Sequence, residues 1–142
     1  MSAAVTLFRA LLLASVGTGL AGSFIDLIFP SLIPAPLSAA FEALPETPAP
    51  AVFGASVLIL VTFGGTVASI VGLYHFQPWS RPLAIVMTLL SLLFFPLLGA
   101  SISSGWSSLL LEVSTTLWGA VIAMSYVSSL SERFDSRISP RS

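Results

Sequence analysis

Two carboxylates occupy places where a charge is costly: Asp26 in GSFIDLIF and Glu112 in SSLLLEVSTT, each flanked on both sides by apolar residues. A charged side chain at the centre of a membrane helix costs about 2.5–3.5 kcal/mol on insertion scales, so acids in such places hold a proton or cation, or answer a donor on a neighbouring helix. Ser108 and Thr116 lie one helical turn to either side of Glu112 and are spaced to hydrogen-bond it. The sequence predicts that Asp26 and Glu112 lie in the same leaflet, approach each other and share one proton near neutral pH.

Other site chemistries lack their parts. With no cysteine and a single histidine, His75, the chain holds no thiolate site, bis-histidine haem or H-E-x-x-H motif, so neither a metal nor a cofactor is expected. A nucleophile paired with a base is not visible either, and the expectation is a protein that is not an enzyme. Five arginines, no lysine and six acids form no basic stripe, which leaves nucleic acid nothing to bind.

The elements that must position the two acids follow from composition. Of 142 residues, 56% are hydrophobic and 8% charged, against about 25% charged in soluble domains. Such a chain takes lipid as its solvent. Proline-rich and polar breaks divide it into four apolar runs, about 6–29, 52–74, 82–99 and 106–129, each near the 17–25 residues that cross a bilayer. The expected fold is an all-α integral membrane protein, a four-transmembrane-helix bundle forming one domain over 1–130, with a flexible cytoplasmic tail over 131–142. Gly19-Leu20-Ala21 would suit signal-peptide cleavage, but apolarity continues to Phe29, which favours a span.

Arg9, Arg81, Arg133, Arg137 and Arg141 all fall on one side of an even-numbered bundle, so both termini are expected in the cytoplasm and the chain in the plasma (inner) membrane. In the first outer loop, PSLIPAPLSAAFEALPETPAP, a short interfacial helix between Pro36 and Pro45 would set Leu37, Phe41 and Leu44 toward the membrane and Glu42 toward water.

Membrane helices meet where side chains are small. In span one Ser15, Gly19, Ser23 and Asp26 share a face; in span two Gly65, Ser69 and Gly72; in span four Ser108, Glu112, Thr115, Thr116, Gly119 and Ala123. These faces are expected to build the bundle interior.

Most of the chain lies in its spans and nothing outside them looks like a catalytic domain, which points to a non-catalytic accessory, assembly or regulatory subunit of a larger membrane-protein complex, or to a homo-oligomer meeting through the same faces. The alternative is a proton- or cation-coupled small transporter or channel built on Asp26 and Glu112. In size and span count the chain resembles the small multidrug exporters, which work as dimers around a membrane glutamate. Their glutamate lies in the first span and this one in the fourth, so no residue is carried over.

Overall fold

A computed structural model describes residues 3–43, 49–94, 102–127 and 130–135. In chain order they form α1 (Ala3–Ile28), a single 3₁₀ turn (Pro30–Leu32), α2 (Ala35–Glu42), α3 (Ala49–Tyr74), α4 (Ser80–Phe94), α5 (Gly105–Val127) and α6 (Ser131–Asp135). The ends follow local chemistry. Pro30, which has no N–H to donate, stops α1 after Phe29 closes the last turn onto the Ile25 carbonyl at 2.8 Å. Pro82 is accommodated in the first turn of α4, where its missing donor is not needed.

Three helices, Ala3–Ile28, Val52–Tyr74 and Gly105–Val127, are long and apolar enough to cross a membrane, and a shorter apolar helix covers Ser80–Leu93. Large apolar side chains such as Leu27, Phe53, Leu60 and Leu92 are exposed along them. Surface of that kind is solvated by lipid rather than water. The all-helical architecture and the three long spans agree with the sequence reading. The expected third span, 82–99, is described only as far as Phe94, and its remainder lies outside the described residues. A short helix does follow Pro34, over Ala35–Glu42, while Leu44 and Pro45 also lie outside them.

The helices associate as two antiparallel pairs, α1 with α5 and α3 with α4. Large-into-small packing defines both. A Cβ on Gly22 of α1 would lie 3.1 Å from Leu110 and 3.0 Å from Leu111. In the second pair a Cβ on Gly65 would reach 2.3 Å from the Met87 sulfur, and one on Gly72 would reach 2.5 Å from the Ser80 Cβ. At Gly72, against the fixed Ser80 Cβ, only glycine lets the α3 backbone come that close, whereas Met87 is flexible enough to shift away from Gly65.

The pairs join most firmly at the end carrying Arg9, Arg81 and Arg133. Phe8 of α1, Phe76 after α3 and Phe134 of α6 stack there, with centroids 5.5 Å apart for Phe8 and Phe76 and 5.1 Å for Phe76 and Phe134. Val5, Leu12, Leu73, Ala84, Val121 and Leu130 complete this core, all buried. The expected flexible tail therefore differs over 131–135: these residues are helical because Phe134 docks completely into the core.

Phe76 also closes α3. It adopts φ 55°, while Gln77 N–H donates to the Gly72 carbonyl at 2.8 Å and Phe76 N–H to that of Leu73 at 3.1 Å. This is a Schellman cap, whose left-handed position glycine usually takes. A phenylalanine is strained there, and the burial of its ring in the core offsets the cost.

Candidate functional site

Asp26 occupies the last turn of α1, where the chain before α5 crosses it. The Ser104 N–H donates to its Oδ2 at 2.7 Å, and the Ser104 hydroxyl donates to Oδ1. Ser104 is itself the N-cap of α5, its Oγ accepting the Ser107 N–H at 3.2 Å. A serine caps a helix start well because the first N–H groups have no partner within the helix. The Ser107 hydroxyl reaches back to the Gly22 carbonyl at 2.8 Å. Asp26 therefore fastens the start of α5 to the end of α1, and both of its oxygens are engaged.

Further along the same interface, Ser15 and Ser114 exchange hydrogen bonds. The Ser15 hydroxyl donates to the Ser114 carbonyl at 3.0 Å, and the Ser114 hydroxyl to the Ser15 carbonyl at 2.8 Å. Gly19 makes room for this clamp, since a Cβ there would lie 2.8 Å from the Ser114 Oγ. Sequence reading placed Ser15 and Gly19 on a packing face but missed Ser114. Its signal was a serine one helical turn from Leu110 and Leu111 on a face that otherwise reads as lipid-facing.

The structure does not bring Asp26 and Glu112 together. From Ser104, the residue that holds Asp26, to Glu112 is about 12 Å along the helix at 1.5 Å per residue. Glu112 also points about 140° around α5 from Ser107, at 100° per residue. The face of α5 that meets α1 runs through Ser107, Leu111, Ser114, Val121 and Ser125. The stripe expected inside, Ser108, Glu112, Thr115, Thr116, Gly119 and Ala123, is exposed along its length. Serines share this α5 face with Leu111 and Val121, and Gly19 and Gly22 of α1 make the room for Ser114, Leu110 and Leu111.

The hydroxyls around Glu112 are used elsewhere. Thr115 and Thr116 donate to its backbone carbonyl, both at 2.9 Å, and the Ser108 hydroxyl lies 3.0 Å from that of Ser103. No described residue donates to the Glu112 carboxylate. Of the other expected packing positions, Ser69 and Gly72 are buried, Gly65 abuts Met87, Ser23 is exposed and donates to the Gly19 carbonyl, and Gly119 faces open space.

The opposite end holds a cation that the sequence reading left on the surface. Arg81 is 9% exposed. It donates to the Ser125 carbonyl at 3.2 Å, pairs with Asp135, and lies over the Phe134 ring at 4.8 Å and the Tyr126 ring at 5.2 Å. A guanidinium fits because its flat faces stack on aromatics while its edge donates. Arg9 stacks on Tyr74 at 4.5 Å, with its Nε buried and unpaired among the described residues. His75 stands edge-on to Tyr74 at 5.5 Å. Among the described residues no cluster of three or more His, Cys, Asp or Glu could hold a metal ion.

Placed beside known proteins, this chain matches no protein-family model, no curated protein and no solved structure.

Proposed function

We propose that this chain is a non-catalytic accessory or assembly subunit of a larger membrane-protein complex, and that it docks through the Glu112 face of α5. In this reading it spans the plasma (inner) membrane four times with both termini cytoplasmic, and α2 lies on the outer surface. The gathering of Arg9, Arg81 and Arg133 at one end supports that orientation.

The observation that carries the proposal is the outward direction of the Glu112 stripe. Its small residues leave room for a helix to approach closely, with Gly119 open to its surroundings. Its one acid is left facing lipid, an arrangement that a donor or cation on a neighbouring helix relieves. A second copy supplies no such cation, because the described arginines cluster at the other end, and it would bring a second carboxylate. The partner is therefore a different membrane protein with an amide or basic side chain at the depth of Glu112.

Native mass spectrometry after extraction in mild detergent at native expression level tests this reading. A stoichiometric complex with another protein is expected, and Glu112→Leu should abolish it while shifting the unfolding free energy of the isolated chain by no more than about 0.5 kcal/mol. An unaltered complex in Glu112→Leu would overturn the docking face. A bare homo-oligomer with a proton or cation flux lost in Glu112→Gln would overturn the subunit reading in favour of a transporter.

A further inference from the structure

Midway along the bundle the two helix pairs stand apart, and a cavity of about 460 Å³ lies between them. It draws on the middle of each long helix: residues 15–20 of α1, 63–70 of α3, 88–91 of α4 and 114–118 of α5. Its rim includes Leu20, Phe63 and Val67, all exposed, so it opens sideways into the bilayer rather than toward water.

The wall contains many polar residue types, yet every donor but the Thr66 hydroxyl is committed. Ser15 and Ser114 serve each other's carbonyls. Thr88 donates to the Ala84 carbonyl and Ser91 to that of Met87, both at 2.8 Å. Thr115 donates to the Glu112 carbonyl at 2.9 Å, and the Trp118 indole N–H to the Thr88 hydroxyl at 2.9 Å. What these side chains turn toward the cavity is methyl, methylene and ring. A buried water needs two to four polar partners, which this wall does not provide, and a polar ligand would lose its hydration without replacement.

The size is about three times the ~150 Å³ cavity that accepts a benzene molecule, on the scale of one hydrocarbon chain. No charged side chain lines it, so nothing there would hold a headgroup or a free carboxylate. We propose that the cavity seats one acyl chain of a membrane phospholipid, whose headgroup stays at the membrane surface. Lipid then takes the place of side chains between the pairs, where the Trp118 to Thr88 bond is a direct polar link. This inference rests on the membrane reading, and of the residues named it shares only Thr115 with the proposed docking face.

Trp118 reports on the site. A chain carrying Trp79→Phe and Trp106→Phe, with Trp118 as its single tryptophan, is reconstituted into vesicles of phosphatidylcholine brominated in mid-chain, with unbrominated lipid as reference. Quenching of Trp118 is expected, and filling the cavity with Thr66→Phe from α3 or Ser91→Phe from α4 should at least halve it. Circular dichroism identifies a filler that disturbs the fold, and the other then decides. Native mass spectra of the unfilled chain, washed free of surrounding lipid, should retain one phospholipid per chain. Quenching unchanged by a folded filler means that surrounding lipid alone reaches Trp118, and this overturns the proposal. Absence of quenching, or no retained phospholipid, overturns it as well.

Discussion

The two ends of α5 are secured by opposite means. At its start, Asp26, Ser104 and Ser107 hold it to α1 with hydrogen bonds from short side chains. At its far end, Phe8, Phe76 and Phe134 bury large rings, and Arg81 is enclosed beside Ser125 and Asp135. The difference teaches where apolar burial is worth having. Inside a bilayer, lipid is as apolar as leucine, so burying a large side chain there gains little and helices rely on close approach and hydrogen bonds. Where the chain nears water, burying aromatic surface is again favourable.

That contrast breaks most readily at the aromatic end. Phe8→Ala should lower stability by about 3–5 kcal/mol, the usual cost of emptying a buried phenylalanine site, read as denaturant unfolding of the detergent-solubilised chain. If the loss is nearer that of an exposed phenylalanine, the ring cluster is not a water-driven core. Arg81→Met should cost about 1.5–3 kcal/mol through loss of its charge-assisted bonds, while Asp135→Asn, on the exposed side of the pair, should cost under about 1 kcal/mol. Equal losses in the same unfolding assay would mean that the ion pair, not enclosure among rings and the Ser125 carbonyl, holds the arginine. At the other end Ser104→Ala should cost about 0.5–2 kcal/mol, as for a lost helix cap. Hydrogen exchange should locate that loss in the first turn of α5, and Asp26→Asn should loosen the same amides. Protection unchanged in both variants would remove Asp26 from its fastening role.

Much of this frame could be read from the sequence. Proline and polar breaks placed α1, α3 and α5 to within a few residues, because hydropathy over twenty residues is a strong local signal. The inward direction of Asp26, on the side of Ser15 and Gly19, was also legible. What α5 turns toward α1 was not. Gly19 and Gly119 look alike in sequence, yet one accommodates Ser114 and the other faces open space. Small residues mark a face that meets protein, and a single sequence does not say whether that protein is its own chain. The pairing of Arg81 with Asp135, 54 residues apart, left no local pattern, so the sequence showed the arginine only as part of a connection between two spans and missed its burial. Ser104, just ahead of an apolar run, carried a local N-cap signal that the sequence reading did not use.

The left-handed Phe76 ties assembly to the order of synthesis. Its backbone works against the turn between α3 and α4, and its ring is rewarded by contact with Phe8, Phe134 and the Arg9 guanidinium. α1 leaves the ribosome early and α6 last among the described helices, so the hairpin of α3 and α4 inserts with its corner unlocked. The final latch closes from the other end of the chain, when α6 brings Phe134 onto a ring that has been waiting for it.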